Sequence, residues 1–288
     1  MKLAIITDST CDLSVARQQE LGLSVVPLSV HIGDQTYEDW VQLTPQEMFK
    51  RVERGDAPHP TTSQPSPERF RETYQAAFEA GAEEIISVHI SQGLSGTIGS
   101  ANLAAKEFSQ PIHIFDSREA SVGLGAMVIR ASEMRADGAD AKSIMAELER
   151  IRETIFLRFI LPRLEYLQKG GRIGGAAAFV GGLLKLTPIL TFKAGKVETA
   201  ARARGLKKAM TILFDDFAAY VAKHPGTIRV FPVFGTEDSE MKEAVLAEFK
   251  KLGGAIKLEP GTTGGSVIGV YGGPGWFGFS AYPLGDEA

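Results

Sequence analysis

The sequence predicts a two-domain α/β protein, with an N-terminal α/β/α domain built on a parallel sheet and a second, C-terminal α+β domain. Three observations predict this fold class. Short β-branched runs alternate with helical stretches in the first half, which is typical of a parallel sheet covered by helices. The second half changes to glycine-punctuated segments with a hairpin pattern. The length of 288 residues is close to the size at which a single hydrophobic core stops growing.

The first half supplies the parallel sheet. Its strand-like runs cover residues 3–7, 24–30, 84–89 and 112–115. Helical stretches lie between them, at 14–21 and 68–80. In the second of these helices Phe70, Tyr74 and Phe78 fall on one face, so we expect that face to pack in the core. We also expect Asp12 to cap the helix that follows it, because a carboxylate accepts hydrogen bonds from free N–H groups.

The domain boundary is predicted where the pattern changes from helix to a new strand. A helical region covers residues 120–155 and is broken near Asp137 and Gly138. A short apolar strand at 158–161 follows and is closed by Pro162. We therefore expect an N-terminal domain of residues 1–155 and a C-terminal domain of residues 156–288.

The second domain mixes strands and helices. We predict strands at 188–192, 196–202, 227–234, 267–271 and 277–282, and helices at 205–222 and 238–252. Ala194 and Gly195 form the turn between the first two of these strands. The stretch 176–184 mixes very small and large apolar residues, which suits the wall of a ligand tunnel but is equally typical of ordinary helix packing.

Two hydroxyl-rich clusters indicate an anion site. The first reads Thr62-Ser63-Gln64-Pro65-Ser66, and the second reads Leu94-Ser95-Gly96-Thr97. We expect the two prolines near the first cluster to prevent strand pairing, so that Thr62 and Ser63 lie in a loop. Ser95 and Gly96 precede a helix over 97–108, whose first N–H groups are unpaired and whose dipole is positive at that end. A carboxylate or phosphate fits such a site.

Composition excludes several classes of function. The net charge of −4 gives no basic face for nucleic acid, and no apolar stretch reaches the roughly 20 residues that a membrane-spanning helix needs. The single cysteine, Cys11, cannot form an internal disulfide. The five histidines lack the spacing of a metal site, so we predict no metal. The N-terminus carries no secretory pattern, and we expect a cytoplasmic protein.

Ser95 also permits an alternative function, that of a serine hydrolase. The stretch around it resembles a nucleophile elbow, although Thr97 stands where that motif requires glycine. A serine hydrolase would then use Ser95 with a histidine such as His89 or His113 and an acid such as Asp116. The glycine-rich run at 170–175 matches neither a dinucleotide-binding fingerprint nor a P-loop, so nucleotide binding is not indicated.

Five separated motifs resemble one family in the same order along the whole chain. They are Asp8-Ser9-Thr10-Cys11-Asp12-Leu13, the two hydroxyl clusters, Leu164-Glu165-Tyr166-Leu167-Gln168-Lys169-Gly170-Gly171-Arg172-Ile173, and Gly269-Val270-Tyr271-Gly272-Gly273-Pro274-Gly275. Together they are similar to the DegV family of fatty-acid-binding proteins. That resemblance implies two α/β domains with one long-chain fatty acid, such as palmitate, stearate or oleate, in a tunnel between them.

The resemblance also implies roles for particular residues. Thr62, Ser63, Ser95 and Gly96 would contact the fatty acid carboxylate. A histidine that usually completes the head-group site in the family is replaced here by Tyr271, which can donate one hydrogen bond but carries no positive charge. Two arginines match family positions associated with a partner or with a phosphoryl group, and these are Arg172 and Arg204.

The family resemblance further implies a noncatalytic protein without a cofactor other than its lipid. The resemblance implies that in bacteria such proteins can serve as the lipid-presenting subunit of a two-part fatty acid kinase, whose separate ATP-binding subunit makes the acyl phosphate. A third interpretation is a regulatory module that senses lipid and binds another protein. The sequence leaves these partner hypotheses open.

Overall fold

The structure is a computed structural model and describes residues 2–53, 59–179, 186–235, 239–253 and 256–285. The strands are β1 (Leu3–Asp8), β2 (Ser24–Val26), β3 (Ser29–Ile32), β4 (Gln35–Glu38), β5 (Thr61–Ser63), β6 (Glu84–His89), β7 (Ile112–Asp116), β8 (Phe156–Ile160), β9 (Leu186–Lys193), β10 (Lys196–Arg204), β11 (Ile228–Phe234), β12 (Ile256–Leu258), β13 (Thr262–Thr263) and β14 (Phe277–Pro283).

The α-helices are α1 (Val15–Glu20), α2 (Pro45–Glu53), α3 (Pro67–Glu79), α4 (Thr97–Ala105), α5 (Val122–Ala136), α6 (Ala141–Thr154), α7 (Glu165–Lys169), α8 (Leu206–Lys223), α9 (Ser239–Lys251) and α10 (Ser266–Gly272). Short 3-10 helices cover Ser9–Cys11 and Gly174–Phe179. No described helix is both long enough and apolar enough to cross a membrane.

A four-stranded parallel sheet forms the centre of the N-terminal half, in the order β2-β1-β6-β7. Neighbouring residues of its strands pack on opposite faces, so both faces are apolar. Ile6 and Ile85 pack in one core with side chains of α3 and α4, whereas Ile5 and Ile86 pack in another with side chains of α5 and α6. The predicted parallel-sheet domain is confirmed.

A second, three-stranded sheet corrects the prediction for the first hydroxyl cluster. Thr62 and Ser63 lie on β5, which pairs antiparallel with β3, and Thr62 lies opposite Val30. The expectation of a loop was wrong because the prolines follow the strand. Pro65 lies two residues beyond the last residue of β5, so it removes none of the N–H groups that pair with β3.

The C-terminal half contributes a larger, mixed sheet in the order β10-β9-β8-β14-β11-β12, with β13 also pairing with β11. One face packs against α8 and α9 through an aromatic core, in which the rings of Phe217, Phe249 and Phe279 contact one another. The other face packs against α5 through Phe231 and Val233. The second, sheet-rich domain is therefore also as predicted, while the boundary at residues 155 and 156 stays a prediction.

The predicted strand at 267–271 was wrong, because these residues lie in α10. Two buried carboxylates from the N-terminal half cap this helix. Asp12 Oδ1 accepts from the Gly265 N–H at 2.8 Å, and Asp39 Oδ1 accepts from the Ser266 N–H at 2.9 Å. Burial raises the pKa of Asp39 to about 7 and raises the pKa of Asp12 above its ordinary value. The β-branched pattern of the segment could not reveal caps from residues more than 220 positions away.

The prediction that Asp12 caps the helix following it, α1, was wrong. The cap of α1 is Ser14, whose side chain accepts from the Arg17 N–H at 3.3 Å. Asp12 itself adopts a left-handed conformation with φ of 53°, and its carboxylate is directed to Gly265 and Ser121. It therefore joins distant parts of the chain instead of capping the helix next to it.

Candidate ligand-binding cavity

A cavity of about 280 Å³ lies where the N-terminal elements meet the C-terminal sheet. This volume is close to the lower end of the roughly 300–1,000 Å³ found for ligand pockets. Most of its wall is apolar and comes from both halves of the chain. Its apolar lining comprises Leu28, Ile90, Leu94, Ala120, Val122, Leu157, Phe159, Leu161, Leu167, Phe192, Val197, Val233, Val267, Ile268, Trp276 and Phe279.

Polar side chains at one part of the cavity form what we call the polar rim: Thr62, Ser63, Ser95, Arg172 and Tyr271. They come from separate parts of the chain, because β5, the turn before α4, the segment after α7, and α10 each contribute. The structure thus brings together five of the seven residues that the sequence and the resemblance singled out. Gly96 and Arg204 are not among the residues that line the cavity.

Tyr271 is the centre of the contacts within the polar rim. Its hydroxyl and Thr62 Oγ1 share a hydrogen bond of 2.5 Å. The Arg172 guanidinium lies over its ring, 5.4 Å from the centroid. The ring also packs on Gly170, where an added Cβ would approach ring carbons to 2.4 Å. The glycine-rich segment 170–175 is therefore shaped in part to admit this tyrosine.

Ser95 lies in a tight turn just before α4. Its N–H donates to the Ser91 carbonyl at 3.1 Å, and its hydroxyl hydrogen-bonds to Thr97 Oγ1 at 2.8 Å. Arg172 Nε donates to the carbonyl of Leu94 at 3.1 Å, which fastens this turn to the C-terminal half. The hydroxyl of Ser95 is half-buried at the cavity wall and is placed to donate to a ligand.

Gln64 is a lining residue that sequence reasoning missed, although it stands in the middle of the first hydroxyl cluster. Its Nε2 donates to Ser100 Oγ at 3.1 Å, which joins the end of β5 to α4. Its Oε1 lies only 2.0 Å from where a Cβ on Gly96 would be. Glycine at position 96 therefore makes room for Gln64, and it does so without lining the cavity itself.

The remaining two of the predicted site residues are Ser63, which bonds to a neighbouring strand, and Arg204, which is exposed. The hydroxyl of Ser63 lies 2.9 Å from His31 Nε2, and His31 Nδ1 lies 2.9 Å from Thr36 Oγ1, so Ser63 is held by the neighbouring strands. Arg204 ends β10, where its side chain is exposed. Its assigned role with a partner or a phosphoryl group stays a prediction.

The described geometry does not support the serine hydrolase alternative. His89 is fully buried and contacts Ser87 Oγ at 2.6 Å and Asp8 Oδ2 at 3.0 Å. His113 Nε2 contacts Glu84 at 2.6 Å. Neither ring reaches Ser95, whose side-chain partner is Thr97. A base within hydrogen-bond reach is what would activate the serine as a nucleophile.

Asp116, the acid named for that alternative, has another role. Its Oδ1 accepts from the N–H groups of Arg118 at 3.0 Å and Gln92 at 3.3 Å, so it shapes the turn after β7. Within the described ranges, no group of three or more His, Cys, Asp or Glu side chains is arranged to hold a metal ion.

The model of the DegV family, described as uncharacterised proteins, matches residues 2–284. The chain belongs to the DegV family. A DegV domain-containing protein from Deinococcus radiodurans is 40% identical over 288 residues, and the match covers 99% of each chain. The resemblance that the five motifs indicated is thereby confirmed.

Solved structures of DegV proteins share the fold and include lipid-binding members. The fatty-acid-binding DegV family protein from Thermus thermophilus is 44% identical, with a TM-score of 0.91, and the match covers 99% of this chain and 100% of that one. A stearic-acid-binding protein from Eubacterium ventriosum is 25% identical, with a TM-score of 0.88, and 98% of each chain is covered. The α/β fold with two sheet-containing halves is therefore the fold of DegV proteins that bind fatty acids.

Proposed function

We propose that this DegV protein binds one long-chain fatty acid, such as palmitate, stearate or oleate, in the cavity and holds its carboxylate at the polar rim. The observation that carries the proposal is the convergence of Thr62, Ser95, Arg172 and Tyr271 on one apolar cavity. The relatives from Thermus thermophilus and Eubacterium ventriosum support the choice of ligand.

The two parts of the ligand contribute differently to binding. Burial of one methylene contributes about 0.8 kcal/mol, so the roughly fourteen methylenes of palmitate contribute on the order of 11 kcal/mol before the costs of ordering and association. A hydrogen bond to a charged group contributes about 1.5–3 kcal/mol. The acyl chain therefore provides most of the affinity, and the hydroxyl groups of the rim decide which end of the ligand stays there.

Analysis of the lipid in the purified protein tests this proposal. Native mass spectrometry is expected to show a complex of one chain with one fatty acid, and extraction after denaturation should release that acid. Delipidated protein should take up palmitate or oleate again with the same stoichiometry. A protein that is isolated empty and then takes up neither acid would contradict fatty acid binding.

Tyr271→Phe is expected to weaken palmitate binding by about tenfold, because the phenol can donate one hydrogen bond to the carboxylate and phenylalanine cannot. The ring and its packing on Gly170 are retained, so the fold should not change. Displacement of a fluorescent fatty acid measures the effect. Tyr37→Phe, on β4 and outside the cavity, is the matched control. Equal affinities of both variants would remove Tyr271 from the head-group site.

We further propose that the protein presents the carboxylate of the bound fatty acid to a separate fatty acid kinase subunit. In that reaction a carboxylate oxygen attacks the terminal phosphorus of ATP, the acyl phosphate forms and ADP leaves. The support is that Arg172 is an exposed residue of the polar rim, where its charge can stabilise an arriving phosphoryl group.

Arg172→Ala should leave palmitate binding within about threefold of the wild type, since the acyl chain provides most of the affinity, but should reduce acyl phosphate formation with a cognate kinase subunit by about a hundredfold. Lipid loading by mass spectrometry and ADP release are measured on the same preparation. Arg71→Ala, on the exposed face of α3, is the control. Full kinase turnover with Arg172→Ala would count against presentation through this arginine.

A further inference from the structure

A second cavity, of about 540 Å³, lies beside the first. It is a partly open cleft lined by α1, α5, β11 and the segment 259–262, and its polar lining residues include Ser14, Arg17, Glu20 and Glu259. Its apolar lining includes Leu13, Ala16, Ala126, Ile129, Phe231 and Pro232. The proposed function above does not use this cavity.

Both cavities lie along the same face of the C-terminal sheet, the face that packs against α5. On β11, Val233 lines the first cavity and Phe231 lines the second. Residues two apart in a strand project from the same face, and both side chains belong to the core between the C-terminal sheet and α5. Val122, at the start of α5, lines both cavities. It therefore forms the partition between them.

The partition is held in place by its neighbours. Val122 is 5% exposed, and its carbonyl accepts from Ser280 Oγ at 2.8 Å, which ties the first turn of α5 to β14. The preceding residue, Ser121, donates a hydrogen bond to the buried Asp12 carboxylate. Val122 is not one of the polar rim residues and belongs to the apolar part of the wall of the first cavity.

We propose that Val122 determines the longest acyl chain that the protein accepts, and that the second cavity can take the end of a longer chain once the valine side chain is shortened. This inference rests on the proposed binding of a fatty acid in the first cavity. With the carboxylate fixed at the polar rim, an acyl chain that fills the first cavity stops against Val122. Alanine at this position removes two methyl groups from the partition and opens the first cavity toward the apolar side of the second one.

The test compares saturated acids from myristate to lignoceric acid on delipidated protein. In the wild type, affinity should rise with chain length and then stop rising once the chain reaches Val122. In Val122→Ala it should continue to rise, by about tenfold for every two further methylenes. Val122→Leu should move the limit to shorter chains, and the cavities on both sides leave room for the larger side chain.

Ala16→Leu separates the roles of the two cavities, because Ala16 is exposed on α1 and lines only the second one. Alone it should leave the wild-type profile unchanged, and combined with Val122→Ala it should restore the wild-type length limit. Identical length profiles for wild type, Val122→Ala and Val122→Leu would overturn the inference. Palmitate binding by the wild type tests the proposed function separately, so the two failures are distinguishable.

Discussion

Replacement of Val233 by phenylalanine is expected to abolish fatty acid binding. Val233 is 2% exposed on β11, and its side chain lines the cavity together with Val122 and Phe279. A phenyl ring at this position occupies space that the acyl chain needs. Since the chain contributes on the order of 11 kcal/mol before ordering costs, loss of half of its contacts should reduce affinity about a thousandfold or more.

The fold should tolerate this change because the added ring enters an existing cavity. Overpacking of a filled core costs about 1–3 kcal/mol, and here the cost should fall at or below the lower end of that range. Chemical denaturation and palmitate titration are measured on the same preparation. Val233→Ala, which enlarges the cavity, should still bind palmitate. Strong binding by a folded Val233→Phe variant would place the ligand somewhere else.

A second large loss of palmitate affinity is expected when the hydroxyl groups of the two hydroxyl clusters are removed. The double variant Thr62→Val and Ser95→Ala is expected to weaken palmitate binding by a factor on the order of 10² to 10⁴. Each hydroxyl provides one hydrogen bond to a charged group, at about 1.5–3 kcal/mol. Valine keeps the β-branched shape that suits β5, and among the described residues the side chain of Ser95 bonds to Thr97, its neighbour in the same turn, so the native structure should be retained.

The matched control is Thr61→Val, which changes an exposed threonine next to Thr62 on the same strand. Isothermal titration with palmitate and with the corresponding fatty alcohol separates the head-group effect from the effect of the acyl chain. The double variant should lose its preference for the acid over the alcohol. If that preference persists unchanged, the carboxylate is not bound by Thr62 and Ser95.

The N-terminal sheet could be predicted from sequence because its strands are buried on both faces. Runs such as β1 and β6 are then rich in β-branched and aliphatic residues, with helices between them. Thr62 and Ser95 could be singled out because each lies in a hydroxyl-rich cluster, although Thr62 lies on β5 and not in the predicted loop. The position of Tyr271 in the site came from the family resemblance and not from any local pattern.

Other features depend on contacts that a sequence does not display. The helical state of α10 depends on caps from Asp39 and Asp12, which are far away in the chain. The pairing of β5 depends on where β3 lies. Val122 reads as an ordinary core valine, and only the two cavities on either side of it indicate a special position. Part of the apolar stretch at 176–184 lies outside the described residues, so its proposed place in the tunnel wall stays a prediction.

A crystal structure of the protein with ω-bromopalmitate, with anomalous scattering to locate the bromine, shows where each end of the ligand is bound. We expect one bromine site per chain, inside the cavity beside Val122 and Val233, with carboxylate density within hydrogen-bond distance of Thr62, Ser95 and Tyr271. A bromine at the polar rim, or a ligand bound outside this cavity, would show that the fatty acid is not held by its carboxylate at the polar rim.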